Sequence, residues 1–293
     1  MLNEVRRLGL ESQAWELDCQ GYTVLSPESA ASAQFIDELR RITLDTAAAS
    51  ADDGCDPADD DSYSTVSSPF GQVRFSPGLL FSHQIYERAL MNERVLALVR
   101  YLLGESCVLN HFSSMLKGPG ADYLPLHTDQ NQSGGPPPYP AYAQVANATW
   151  ALTDYTKDGG AICFVPGSHR LCRPPTPHEA VDVASWQPLE VPAGSVIVWH
   201  GNTWHGAFPR RDRGVRISLV EYFTRWYLVP FEPYHAMVTT DMLDRNPADF
   251  ATLMGLKRLL PQAGTVAENY PLSMEAVAAE RQRAAAARIS LFA

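Results

Sequence analysis

Apolar positions along this chain fall into three regimes. Up to about Gln20 they recur at roughly helical spacing (Val5, Leu8, Leu10, Trp15, Leu17), and Gly21 ends the pattern. Tyr22-Thr23-Val24-Leu25 then reads as a short strand, and Ser26-Pro27-Glu28 supplies a capping serine and first-turn proline for a helix running to Ala49. A further helix is predicted from Tyr86 to Leu103, stopped by Gly104. From Cys107 to Phe223 the pattern changes to short apolar or alternating runs separated by Gly and Pro. The clearest predicted strands are Val108 to Leu116, Ala146 to Leu152, Ala161 to Val165, Val196 to Trp199 and Val215 to Phe223. Gln132 to Tyr142, with Gly134-Gly135 and four prolines, cannot join a ladder and is predicted to be a loop. After Pro230 the pattern turns helical again, ending in the Ala-rich stretch Met274 to Leu291. The expected architecture is one domain, mainly β with helical flanks: helical to residue 104, a barrel or sandwich core over 105–230, and helical from 231 onwards.

Composition narrows the function classes. The 293 residues are 45% hydrophobic and 19% charged, as in an ordinary globular protein. A formal net charge of −10 argues against nucleic acid or an anionic membrane as the main partner, which leaves a small-molecule substrate. No apolar run reaches the length of a membrane span. The first twenty residues carry Glu4, Arg6, Arg7, Glu11, Glu16 and Asp18 and lack the apolar core of a secretion signal. Five cysteines, odd in number and without a CxxC spacing, suggest reduced thiols and a cytoplasmic protein. The stretch Asp52 to Asp61 is read as a solvated acidic loop.

The candidate chemistry lies in His127-Thr128-Asp129, His205 and Arg216. His205 follows the aspartate by 76 residues, and Arg216 follows His205 by 11. Two imidazoles and a carboxylate form the donor set that holds Fe(II) on one octahedral face and leaves the other open. A planar guanidinium a short distance beyond the second histidine suits the far carboxylate of a dicarboxylic co-substrate. Arg216 sits in an apolar run, where an unpaired guanidinium would be expensive, and alternation places Ser218 on its face of the strand. The neighbouring Arg210, Arg211 and Arg213 read as surface residues. An HxD tripeptide alone is weak, so two alternatives stand beside this reading: a jelly-roll binding or sensor protein without turnover, and a zinc-dependent hydrolase using the same ligands. His111 is taken as a core histidine, His169 as a brace for its turn, and His200 as a rim or turn residue.

The motifs Asp158-Gly159-Gly160-Ala161, Val165-Pro166-Gly167-Ser168-His169 and Ala193-Gly194-Ser195-Val196-Ile197-Val198-Trp199-His200 occur in the order seen in one family. Over roughly residues 15 to 230 the chain resembles the phytanoyl-CoA dioxygenase (PhyH-like) family. The resemblance implies a cupin-like double-stranded β-helix, or jelly-roll, with Fe(II), 2-oxoglutarate and O₂. It assigns iron to His127, Asp129 and His205 and the 2-oxoglutarate carboxylate to Arg216. Met115 and Trp150 match positions lining the co-substrate pocket, and Thr128 and Ser218 are placed with them. Where some members carry a hydroxyl two residues after the distal histidine, this chain has Ala207. The implied activity is a dioxygenase oxidising a metabolite, most simply by hydroxylation, with 2-oxoglutarate decarboxylated to succinate. Phe81, Tyr142 and Trp204, with Phe70 and Tyr139, are candidate substrate contacts for a medium-sized, partly apolar molecule. Lys117 and Arg74 stand isolated and form no basic cluster for CoA phosphates.

Overall fold

Gly9, at a left-handed φ of +63°, divides the opening helical pattern into α1 (Leu2–Arg7) and α2 (Glu11–Gln20). Gly21, at φ +86°, then caps α2 by donating its backbone N–H to Leu17. Val5, Ala14 and Leu17 face inward, whereas Trp15 is 69% exposed and does not belong to the buried face. A computed structural model describes residues 2–51, 56–66, 72–120, 122–133, 135–256 and 282. Phe70 and the Ala-rich stretch at 274–291, Gln282 apart, lie outside the described residues. Residues 1–257 cluster as one unit and 258–293 as another.

Two helices expected to be continuous are each split by a cap. The second pattern becomes α3 (Pro27–Ala30) and α4 (Ala33–Ala49), because the Ser32 hydroxyl accepts from Phe35 N and starts a new helix. The third becomes α5 (Gln84–Leu90) and α6 (Glu93–Leu103), where the Asn92 side chain accepts from the amides of Arg94 and Val95, both at 3.1 Å. Each cap is worth about 1 kcal/mol, enough to fix the break. Short helices α7 (Tyr234–Met237), α8 (Thr240–Arg245) and α9 (Asp249–Leu253) follow the β core. No helix among the described residues is long and apolar enough to cross a membrane.

Ten strands among the described residues form two sheets: β1 (Tyr22–Leu25), β2 (Val73–Ser76), β3 (Val108–Lys117), β4 (Leu124–His127), β5 (Val145–Ala151), β6 (Ile162–Phe164), β7 (Gln187–Pro188), β8 (Val196–His200), β9 (His205–Ala207) and β10 (Arg216–Thr224). The larger sheet runs β1-β8-β5-β10-β3-β2 and the smaller β4-β9-β6-β7, with every ladder antiparallel. The six expected strands, Tyr22 to Leu25 among them, appear within one residue at each end. The sequence pattern missed β2, which joins the large sheet from the flank expected to be helical, and also β4, β7 and β9.

Alternation gives the large sheet two different faces. Phe112, Leu116, Ala148, Trp150, Val198, Leu219 and Phe223 pack outward into the main core with Phe35, Leu39, Leu96 and Val99 of the helices. Inward-facing Ile197 and Trp199 pack with Phe164 of the small sheet, while Leu126, Cys163, Trp186 and Phe208 form a separate cluster. Fully burying one such large apolar side chain contributes about 2–3 kcal/mol, so packing on both sides holds the large sheet rigid. Asn110 is the extra residue of a bulge in β3, where the register changes between Tyr222 and Phe223. The four described cysteines, Cys19, Cys107, Cys163 and Cys172, are free thiols.

Candidate metal centre

His127 closes β4 and His205 opens β9, and the β4–β9 ladder sets them directly opposite one another. Their ring centroids are 4.2 Å apart. Gly206 permits this approach, since a Cβ there would lie 2.4 Å from the Leu124 carbonyl oxygen. Asp129 follows β4 and turns back beneath the rings, its amide donating to Gly201 O at 3.0 Å. His205 Nε2 lies 3.3 Å from Asp129 Oδ2, and His127 Nε2 lies 3.9 Å from Oδ1. One ligand atom from each of the three falls within 4.8 Å of the others, a spacing that could hold one metal ion.

The surroundings orient these donors. His127 Nδ1 donates to Pro125 O and His205 Nδ1 to Thr203 O, both at 3.0 Å, which leaves each Nε2 as the lone-pair nitrogen. Burial pushes the His205 imidazole down to about 4, with His127 adding to the shift and Asp129 opposing it, so the neutral, ligating form persists at neutral pH. Asp129 Oδ2 accepts from Asn147 Nδ2 at 2.7 Å and Trp199 Nε1 at 3.2 Å, and Tyr222 OH donates to the Asp129 carbonyl at 3.2 Å. The sequence assigns no site role to Asn147, Trp199 or Tyr222, although Trp199 belongs to one of the family motifs. A polar Asn147 and Thr149 alternating within an otherwise apolar strand was the available signal.

These donors open onto a cavity of about 330 Å³ between the sheets. The inward row of β10, Arg216, Ser218, Val220 and Tyr222, lines it together with His111, Ser113 and Met115 of β3 and Asn147 and Thr149 of β5. Arg216 is 5% exposed, donates Nη1 to the Gly160 carbonyl and lies 5.1 Å over the Tyr155 ring. Ser218 shares a 2.5 Å hydrogen bond with Tyr155 OH. Arg216 Nε and the hydroxyls of Ser113 and Thr149 are buried and have no hydrogen-bond partner among the described residues. Buried polar atoms left in this way are characteristic of a wall built for a polar ligand.

Several expected site residues lie elsewhere. Trp150 does not line the cavity: strand alternation turns it outward, where it packs 5.9 Å from Phe35 and donates to Glu221 Oε1 at 3.0 Å. Thr128 is fully buried but is not a lining residue. Phe81 packs 5.8 Å from Tyr234, Tyr142 is 55% exposed beneath Arg225, and Trp204 donates to Arg173 O. The apolar lining comes instead from Phe75, Leu124, Ile162, Trp199 and Phe231. His111 also lines the cavity and pairs with Glu232 at 3.0 Å. His200 and His169 stay outside it, their rings 5.4 Å apart. Arg213 is 79% exposed and pairs with Asp60 and Asp61, but Arg210 is not a simple surface residue, since it braces its loop through the carbonyls of Gly159, Arg213 and Gly214.

Comparison with known proteins places this geometry. The family model for phytanoyl-CoA dioxygenase (PhyH) matches residues 17–218. Dioxygenase af480 of Aspergillus fumigatus is 28% identical over 173 residues, covering 58% of this chain and 54% of that protein. An uncharacterized protein of Mycobacterium tuberculosis, Rv1501, is 28% identical over 115 residues, covering 39% and 41%. The chain thus spans about half the length, or less, of these curated relatives. Among solved structures, the non-heme alpha-ketoglutarate-dependent epimerase SnoN from nogalamycin biosynthesis superposes with a TM-score of 0.58 at 20% identity, covering 76% of this chain and 86% of its own. HygX from Streptomyces hygroscopicus, with nickel, 2-oxoglutarate and hygromycin B, gives 0.59 at 18% identity, covering 76% and 90%. EctD from S. alaskensis, with 2-oxoglutarate and 5-hydroxyectoine, gives 0.58 at 20%, covering 74% and 77%. At these identities the structural matches speak to the fold, a jelly-roll of two antiparallel sheets with helical flanks. With the family model spanning well over half of its length, the chain belongs to the phytanoyl-CoA dioxygenase family.

Proposed function

We propose that the protein is a non-haem Fe(II)/2-oxoglutarate-dependent dioxygenase that oxidises a small-molecule metabolite, most simply by hydroxylation, while 2-oxoglutarate becomes succinate. The observation that carries this reading is that His127, Asp129, His205 and Arg216 line one cavity. The residues fit the groups. Two neutral imidazole Nε2 atoms and one carboxylate offer Fe(II) its donors, and a buried arginine forms no ion pair with a carboxylate among the described residues. The family's name, and the nickel and 2-oxoglutarate in the HygX structure, point the same way.

When bound, the iron and co-substrate supply O₂ activation coupled to decarboxylation and removal of a hydrogen atom from the substrate. The protein's own share is positional. Asn147 and Trp199 hold one oxygen of Asp129 and fix the carboxylate plane. The carbonyls of Pro125 and Thr203 fix both imidazole tautomers. Arg216 offers a fork to the far carboxylate of 2-oxoglutarate, with Ser218 and Met115 beside it on the wall. The apolar lining excludes water and suits a partly apolar substrate, and the nogalamycin and hygromycin B of the structural neighbours are likewise small molecules.

Calorimetry without oxygen, followed by succinate assay in air, tests the reading. We expect 2-oxoglutarate to bind only with a divalent metal present. Fe(II) should support succinate formation and Zn(II) should not. His205→Ala should lose metal-dependent binding and turnover, and undiminished succinate formation by that variant would overturn the assignment.

A further inference from the structure

Lys117, isolated in the sequence, is the last residue of β3, and its register partner across the β3–β10 ladder is Arg216. His111, Ser113 and Met115 line the cavity from β3, and alternation places Lys117 on their face of the strand, level with Arg216 and one step beyond the lining residues. Lys117 is 3% exposed, and its Nζ donates at 2.5 Å to the carbonyl of Phe208, just past β9 of the opposite sheet. Neither Lys117 nor Arg216 forms an ion pair with a carboxylate among the described residues. Two buried cationic groups side by side without an anion are unfavourable, and burial, reinforced by Arg216, pushes the Lys117 ammonium down to about 7. A negative charge bound beside the pair would relieve this cost.

We propose that Lys117 is a second cationic binding residue of the co-substrate anchor, acting with Arg216 on the far carboxylate of a 2-oxodicarboxylate. This rests on the function proposed above. Arg216 keeps Nε without a partner among the described residues, but Nη1 is committed to the Gly160 carbonyl and its plane lies over Tyr155, so it presents one edge to that carboxylate. The neighbouring ammonium adds a point charge that needs no fixed fork. Anchoring the dicarboxylate then restores the full positive charge of Lys117, so binding takes up a proton above neutral pH.

The test compares 2-oxoglutarate with 2-oxopentanoate, which keeps the metal-chelating end and lacks the far carboxylate. Both are titrated without oxygen into the Fe(II)-loaded full chain. In Lys117→Met, affinity for 2-oxoglutarate should fall by about tenfold or more, while that for 2-oxopentanoate stays as in the unaltered protein. Lys117→Arg should recover part of the difference. A lysine that only caps the Phe208 carbonyl would change both ligands alike, and an equal change or no change overturns the proposal. A second arm needs no variant: the ratio of the two affinities should fall as pH rises from 7 to 9, by up to about tenfold per pH unit. The groups facing Lys117 are Arg216, the Cys163 thiol, which burial pushes up to about 12, and the Asp122 carboxylate. Tyr155 beside Arg216 is pushed up by burial. Titration at the metal end weighs on both ligands and cancels in the ratio, so a flat ratio also overturns the proposal. If the unaltered Fe(II) protein binds neither ligand, the proposed function falls with it. If it binds both normally and Lys117→Met does not discriminate, only the role of Lys117 falls.

Discussion

Glu221 is a buried residue that ties stability to pH, although no solvent reaches it. It lies on the outward face of β10 at 0% exposure, with Oε1 accepting from Trp150 and Oε2 without a partner among the described residues. Burial pushes its carboxyl up to about 8, the Trp150 hydrogen bond opposing the shift only in part. The folded chain therefore holds a proton there that the unfolded chain releases near the usual carboxylate value. By linkage this term costs nothing below about pH 4.5, where both states hold the proton, grows as pH rises, and is a full penalty above about pH 8. Glu221→Gln mimics the protonated acid and should remove the penalty. We expect its stability relative to the unaltered protein to improve by on the order of 3 kcal/mol between pH 4 and pH 9. Denaturant unfolding at both pH values measures this, and parallel curves for the two proteins would refute it.

At the scale of elements, the site depends on how closely β4 approaches β9. That ladder alone puts His127 across from His205, and Gly206 is the residue that lets the backbones close. A methyl group at position 206 would meet the Leu124 carbonyl at 2.4 Å and the Pro125 backbone at 3.3 Å, so one strand must move. Gly206→Ala should cost about 1–3 kcal/mol of stability through this overpacking. It should also displace one imidazole from the other and weaken Fe(II) binding by about tenfold or more. The helix–sheet core on the other face of the large sheet contains no residue of β9 and should keep its secondary structure. Chelator competition with circular dichroism as a control checks this, and unchanged metal affinity would count against it.

For the molecule as a whole, ligands that bind only the folded chain must raise its unfolding temperature. The cavity draws its lining from both sheets and from Phe231 beyond β10, so it exists only when the sheets are assembled. Fe(II) and 2-oxoglutarate, each at about 100 times its dissociation constant, should each add about 2.7 kcal/mol, together roughly 5–10 °C for a chain of this size. Scanning calorimetry without oxygen provides the measurement, and an unshifted midpoint with both present would show that the cavity does not take them.

The sequence by itself determined the strands β1, β3, β5, β6, β8 and β10 and pointed to His127, Asp129 and His205 as candidate metal donors with Arg216 beyond them, because strand patterns and residue types of narrow chemistry are local properties. It also fixed Ser218 on the face of Arg216, since alternation along one strand needs no partner. Tertiary structure decided the rest. The strands β2, β4, β7 and β9 have two to four residues, too few to show a period, and exist through their non-local ladders. Strand β5 is buried on both faces, so apolarity could not tell that Asn147 and Thr149 point to the cavity while Trp150 points to the helices. Phe81, Tyr142 and Trp204 suit a substrate by residue type alone, but type does not say where a side chain points, and all three lie outside the cavity. Lys117 meets Arg216 across 99 residues of chain only because β10 pairs with β3 in one register. A register of that kind is set by the whole sheet, and nothing adjacent to either residue records it.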